Sequence, residues 1–184
     1  MANRSHVYTY STDPLTHKDL SEWKWAIPVA HQLLASGNPR VAESHIWNND
    51  QKIAIEADFA AGIERLSAFL GWLQRQPEVA NPAALAKAIQ RTQAFFEKSE
   101  NRKPFVLLEA AEIFVLDETT PLGTQAEQLV AEIRMLAAEV DRAIANEGQV
   151  PRTLLKLVET WEEELGLYWT DVVYFSLNGA AETA

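Results

Sequence analysis

The chain has 184 residues, of which 47% are hydrophobic and 23% are charged, a composition that excludes a collagen, a coiled-coil rod and a wholly disordered chain. It contains no cysteine, which excludes disulfides, thiol nucleophiles and metal sites with cysteine ligands. Its formal net charge of −10 argues against nucleic acid as a ligand, because phosphate binding requires clustered cations.

The first half of the chain predicts two short strands. Residues 6–10 place Tyr8 and Tyr10 on one side of an extended segment, which is typical of a strand, and Pro14 ends it. Residues 53–57 are apolar and β-rich apart from one glutamate, so they predict a second, buried strand.

Three helices are predicted in the same half from their caps and apolar spacing. A helix over residues 28–36 should end at Gly37, where a left-handed cap is expected. Asp58 is a suitable N-cap for a second helix. Asn81 followed by Pro82 is typical of the start of a third helix.

The second half contains three β-rich segments. Residues 105–108 and 112–116 indicate two strand pieces joined by a bend, and residues 168–177 predict a final strand. We expect the last strand to lie near the C-terminal end of the domain.

Two further helices complete the prediction. Thr124 and Glu127 match a capping box that opens a long helix, and Pro151 opens another. Together, these elements predict an α+β fold with a small, mostly antiparallel sheet packed by about five helices. We expect a single domain over residues 1–178 and a frayed tail over residues 179–184.

The excess negative charge lies in the second part of the chain. Residues 1–103 contain 12 Lys or Arg against 11 Asp or Glu, whereas residues 104–184 contain 4 against 15. Such a field either keeps the protein soluble or attracts a basic protein partner. The candidate partner-binding residues are Asp117, Glu118, Glu132, Glu139, Glu162, Glu163 and Glu164.

An alternative candidate pocket combines tryptophans with carboxylates, and its residues are Trp23, Trp25, His45, Glu109 and Glu112. Tryptophan is frequent in ligand pockets, and a carboxylate buried in an apolar stretch acquires the raised pKa of a general acid. The competing interpretation, which we favour, is that a bend at residues 110–111 turns Glu109 and Glu112 to solvent or that an arginine pairs with one of them.

The chain contains no recognised catalytic or cofactor motif. Its four histidines show none of the helical spacings that bind metals. Its glycines form neither a dinucleotide-binding nor a phosphate-binding loop, and G-x-S-x-G is absent. We therefore expect no catalytic residue, no metal and no cofactor.

No stretch approaches the roughly 18 uninterrupted apolar residues of a membrane helix. The opening residues also lack the apolar core of a signal peptide. We expect a cytoplasmic protein that binds neither membrane nor nucleic acid.

Three segments resemble a family of uncharacterised bacterial proteins. They are the opening MANRS, WKWAIPVAHQLLASGNP at residues 23–39 and EAAEIF at residues 109–114. That family opens with a segment similar to MANRSYLYS and carries a similar E-x-x-E-I-F segment. Its relatives are expected to carry Cys-Gly or similar at positions 110–111, so the alanines here imply no thiol chemistry. The family has no established activity, and the resemblance transfers no catalytic residue.

In general character the chain resembles immunity proteins, which bind and occlude a cognate toxin. The resemblance implies a non-catalytic protein-binding module whose acidic surface contacts a basic toxin domain. The alternative is a small-molecule-binding protein, or an enzyme of unknown reaction, that uses the Trp/Glu pocket. The protein is expected to be a monomer or a homodimer, the latter through an unpaired final strand.

Overall fold

Five strands form one antiparallel sheet in the computed structural model, which describes residues 3–146 and 148–178. The strands are β1 (Arg4–Thr12), β2 (Leu15–Lys24), β3 (Arg40–Ala42), β4 (Ala54–Asp58) and β5 (Phe105–Glu109). Their order in the sheet is β2-β1-β5-β4-β3, so the N-terminal strand lies in the interior. The tail predicted over residues 179–184 lies outside the described residues.

Six helices pack around the sheet, so the α+β prediction is confirmed with one helix more than expected. They are α1 (Val29–Leu34), α2 (Phe59–Gln74), α3 (Pro82–Glu97), α4 (Ala111–Phe114), α5 (Leu122–Ile144) and α6 (Arg152–Glu164). A single 3-10 turn, Ser99–Asn101, precedes β5. Over the described ranges, no helix is both long and apolar enough to cross a bilayer.

The two faces of β1 have different partners, as the alternation over residues 6–10 predicts. Val7 points to the helices and packs in a buried cluster with residues of β4, β5 and α5. Tyr8 and Tyr10 point to the opposite face and pack with Leu107 and Val173. The sheet is therefore buried on both faces, by helices on one side and by the C-terminal segment (residues 168–178) on the other.

The β2 strand was not predicted, because its sequence LTHKDLSEWK has few β-formers and no apolar alternation. Its strand conformation comes from pairing with β1 across a tight turn, with Thr12 opposite Leu15 and Arg4 opposite Lys24. Tertiary pairing therefore overrides a weak local preference.

The predicted starts of α2 and α3 are confirmed. Asp58 immediately precedes α2, although its side chain makes no capping hydrogen bond, whereas the Asn81 side chain accepts a hydrogen bond from the Ala84 amide at 3.4 Å at the start of α3. A second buried cluster, which includes Leu66, Phe69 and Trp161, joins α1, α2, α3, α5 and α6.

Gly37 does not form the predicted left-handed cap, although the structure does require glycine at this position. The left-handed residue after α1 is Asn38, with φ of 54°, and Gly37 does not have a positive φ. A Cβ atom at Gly37 would lie 2.1 Å from the carbonyl oxygen of Asp58, so glycine permits a close approach of two backbones rather than a left-handed cap.

The strand predicted over residues 112–116 is wrong, since Ala111–Phe114 forms the short helix α4. The Ala110 carbonyl accepts hydrogen bonds from the amides of Ile113 and Phe114 at 2.8 and 3.0 Å. These local bonds take the place of sheet pairing after β5 ends at Glu109.

The capping box at Thr124 and Glu127 is also wrong. Helix α5 already begins at Leu122 after Pro121, and no side chain caps it. The fixed φ of Pro121 suits a helix start, which explains the earlier beginning.

The strand predicted over residues 168–177 is absent, and the C-terminal segment is irregular. Its amides bond to β2 instead of to a partner strand: Thr170 donates to the Leu20 carbonyl at 2.8 Å, and Leu177 donates to the Asp19 carboxylate at 3.0 Å. The segment therefore covers the outer edge of β2, and it supplies no strand edge for the predicted homodimer.

Candidate functional site

A groove between α5 and α6 brings together three of the seven predicted acidic residues. It encloses a cavity of about 360 Å³, and the side chains of Leu136, Leu154 and Leu157 contribute to its apolar lining. The carboxylates of Glu132, Glu139 and Glu164 line the same groove. Met135, which is 64% exposed, also lines it.

The geometry of the two helices explains this convergence. Glu132 and Glu139 are seven residues apart on α5, a separation of two turns or about 10 Å along the axis, so they share one flank. Glu164 is the last residue of α6 and reaches the groove from the other side. The flank on α5 follows from the sequence, whereas the approach of Glu164 depends on helix packing.

Two internal contacts orient the groove side chains. The Thr153 hydroxyl donates a hydrogen bond to the Glu139 carboxylate at 3.0 Å. The Lys156 ammonium forms an ion pair with the Glu164 carboxylate, and both side chains line the groove. The groove therefore contains three carboxylates and one ammonium, and its lining remains acidic.

The other four predicted acidic residues do not join this groove. Asp117 lies in the loop before α5, where hydrogen bonds from Thr119 lower the pKa of its carboxyl to about 2, and Glu118 is exposed beside it. Glu162 accepts a hydrogen bond from Asn81, the residue before α3, at 2.8 Å, and Glu163 is exposed. The seven residues therefore do not form one continuous binding surface.

The alternative pocket is only partly assembled. His45, Glu109 and Glu112 contribute to the sheet face opposite the helices, whereas Trp23 does not. Trp23 pairs with Ser5 on the helix-facing side of β2, and Trp25 is 58% exposed in a left-handed turn with φ of 65°. The tryptophans predicted for this pocket therefore do not line it.

Glu109 is buried, which corrects the expectation that the bend at residues 110–111 turns it to solvent. Its carboxylate accepts hydrogen bonds from the His45 amide at 2.7 Å and the Ser44 hydroxyl at 2.9 Å. Burial raises the pKa of Glu109 to about 7, against the opposing effect of these hydrogen bonds. The contacts indicate that Glu109 anchors the loop after β3.

Glu112 lies near His6, a buried histidine that sequence reasoning did not select. The Nε2 atom of His6 is 3.9 Å from Glu112, and its Nδ1 atom is 3.9 Å from Glu22, both beyond hydrogen-bond distance. Burial lowers the pKa of His6, although both carboxylates oppose this shift. Glu22 lies on β2, so only recognition of that strand would have revealed this cluster.

Two further histidines meet at the same face. The Nε2 atom of His17 is 2.7 Å from the Nδ1 atom of His45, and both rings contact the Tyr10 ring. Burial lowers the pKa of His17 to about 4. In the part of the chain that the structure describes, no group of three His, Asp or Glu side chains is arranged to hold a metal ion.

A cavity of about 310 Å³ opens beside Glu112 and is also lined by Trp47, Asn48 and Asn49. Trp47 contacts the Phe175 ring of the C-terminal segment with centroids 4.9 Å apart. A tryptophan and a glutamate thus line one pocket here, with Trp47 in place of the predicted tryptophans.

Most of the chain matches one known protein family. The family described as "Domain of unknown function (DUF7822)" matches residues 9–149, which is more than half of the chain. The chain belongs to this family. The DUF7822 match includes α5, whereas α6 and the C-terminal segment lie beyond it. No curated protein and no solved structure matches the chain.

Proposed function

We propose that this DUF7822 protein is a non-catalytic protein-binding module of the immunity type, which binds and neutralises a basic toxin domain in the cytoplasm. The groove between α5 and α6 is the observation that carries the proposal. Met135 and Leu136 supply the accessible apolar surface that a partner can bury, and the carboxylates of the groove favour a cationic partner over an anionic one.

The charge distribution supports a basic polypeptide as the partner. The groove lies within the part of the chain that carries 15 acidic against 4 basic residues. A negative field of this kind accelerates the encounter with a basic protein and repels nucleic acid and anionic membrane surfaces.

The proposal is tested by growth rescue. Each open reading frame next to this gene is expressed in a bacterial host, with and without the protein, and growth is measured. We expect one frame to arrest growth and the protein to restore it. Replacing Glu132, Glu139 and Glu164 by lysine should abolish rescue, because the groove becomes cationic and repels the toxin.

A matched variant controls for net charge. Glu97, Glu127 and Glu159 are exposed, lie outside the groove and are not among the predicted partner-binding residues, so their replacement by lysine changes the net charge equally. This control should still rescue growth. Equal loss of rescue in both variants, or rescue of no neighbouring frame by the unmodified protein, contradicts the proposal.

The cavity beside Glu112 favours a second candidate function, a small-molecule-binding site. Glu112 lines the cavity with Trp47, and it also accepts a hydrogen bond from the Arg4 amide at 2.9 Å. A thermal-shift screen of bacterial metabolites tests this second function: a compound that raises the Tm of the unmodified protein but not that of Glu112→Gln supports it, and no shift with any compound contradicts it.

A further inference from the structure

We infer that the occupant of the α5/α6 groove is an amphipathic helix of the partner that carries two Lys or Arg residues seven positions apart. The inference rests on the proposed function and specifies the chemistry of the bound segment. It follows from the backbone, the carboxylate spacing and the ion pair of the groove.

The backbone of the groove walls favours a helical occupant. The groove is lined by helices α5, α6 and α1, whose internal amides and carbonyls are largely hydrogen-bonded within each helix, with an interruption at Thr160 of α6. An extended peptide would find no strand edge here and would leave its own backbone groups without partners as it is buried. A helix satisfies its backbone internally and presents only side chains to the apolar lining.

The carboxylate spacing defines the cation spacing. Glu132 and Glu139 are two helical turns apart, about 10 Å along α5. A partner helix lying along α5 presents residues at the same interval when they are seven positions apart. Apolar residues three and four positions after the first cation lie on the same face and can contact the exposed Met135 and the half-buried Leu136.

The Lys156–Glu164 ion pair shows that the groove already accommodates an ammonium. Helix α6 is kinked at Thr160, which lies midway between these two residues and has a non-helical φ of −112° and ψ of 15°, and the two side chains meet across this kink. Lys156 thus takes the position beside Glu164 that a cation of the partner would use. An incoming basic helix has to displace it.

The test uses two labelled synthetic peptides of 18 residues, built from Ala, Leu and Lys in identical composition. In the first, two lysines seven positions apart flank the leucines on one face; in the second, the lysines lie on the face opposite the leucines. Fluorescence anisotropy at low salt measures binding to the full protein. We expect the first peptide to bind about two- to tenfold more tightly, because each of its two lysines can form an ion pair at the rim of the groove.

Three variants assign the binding to the groove. Replacing Glu132, Glu139 and Glu164 by glutamine should remove the preference for the first peptide, whereas the same change at Glu97, Glu127 and Glu159 should preserve it. Lys156→Ala should tighten binding by about two- to fivefold, because the internal competitor is removed. Circular dichroism confirms that each variant is folded.

The outcomes separate this inference from the proposed function. Equal binding of the two peptides, or a preference that survives the groove substitutions, overturns the helical occupant even if growth rescue succeeds. A preference that depends on the groove, together with failed rescue, supports the helical occupant and contradicts the immunity role.

Discussion

Glu109 shows how a single carboxylate acquires its properties from its position. Strand alternation in β5 turns it to the same face as its neighbour His6, and its side chain is 1% exposed. Hydrogen bonds from the Ser44 hydroxyl and the His45 amide offset part of the cost of burying a charge. Glu109 therefore holds a loop in place and at the same time titrates near neutrality.

Glu109→Gln should change how the free energy of unfolding depends on pH. Glu109 has a pKa of about 7 when folded, against its ordinary value of 4.5. The folded chain holds this proton more tightly, so the stabilisation is complete below pH 4.5 and is lost as the pH rises through 7. The stability of the unmodified protein relative to the variant should fall over this window, by up to about 1.4 kcal/mol per pH unit.

Urea unfolding at intervals between pH 4 and 8 measures this difference. Glu127→Gln makes the same chemical change on an exposed side chain of α5 and serves as the control. A constant difference between Glu109→Gln and the unmodified protein across the window would show that Glu109 does not titrate as described.

At the level of secondary structure, close packing of α1 against α2 depends on a glycine. Gly62 lies on the buried side of α2, and a Cβ atom there would be 1.8 Å from the Leu34 carbonyl oxygen. Gly71 lies on the same helix, and its nearest neighbour would be the end of the flexible Arg75 side chain at 3.4 Å. The two glycines therefore have different roles within one element.

Alanine substitution at these two positions should have opposite effects. Gly62→Ala forces a backbone displacement and should lower the free energy of unfolding by about 2 kcal/mol or more. Gly71→Ala should raise it by about 0.5 to 1 kcal/mol, since alanine favours the helix. Thermal and urea unfolding of both variants checks the prediction, and a destabilisation of equal size at both positions would refute it.

The helices were predictable to the extent that their own sequences specify them. The stripe of Leu154, Val158 and Trp161 indicates α6 directly, and all three side chains are buried. The sequence of the irregular C-terminal segment predicts a strand wrongly. Its residue types are those that pack well on a half-buried surface, and this segment packs on such a surface without being a strand.

The candidate site was predictable to a smaller extent. The seven-residue spacing of Glu132 and Glu139 places them on one flank of α5 without any tertiary information. The arrival of Glu164 at the same groove, and of Glu22 beside His6, depends on how distant elements pack. No local pattern encodes either approach.

For the whole molecule, the C-terminal segment acts as the cover of one sheet face. The Tyr8 hydroxyl donates a hydrogen bond to the Phe175 carbonyl at 2.6 Å, and the Ser176 hydroxyl donates one to the Asp19 carboxylate at 2.5 Å. Val173 is buried against Tyr8 and Tyr10. The fold therefore depends on residues that lie beyond the DUF7822 match.

Ending the chain after Asp171 should destabilise the protein, because it uncovers Tyr8 and Tyr10 and removes the partners of Asp19. We expect the Tm to fall by about 5 °C or more relative to a chain that ends after Asn178. Differential scanning calorimetry of the two chains measures the shift, and binding of a hydrophobic dye should increase only in the shorter chain. Equal Tm values would show that the cover contributes no stability.

The interior position of β1 bears on how the protein is made. β1 ends at Thr12, yet one of its two partners, β5, begins only at Phe105. On the ribosome the β1 edge of the nascent β1–β2 hairpin therefore stays unpaired until Glu109 has emerged, and the β2 edge stays uncovered until the C-terminal segment follows. Pairing over so long a separation is slow, and an unpaired strand edge favours aggregation, so the interval before β5 pairs with β1 is the stage of synthesis at which this chain is most exposed to aggregation.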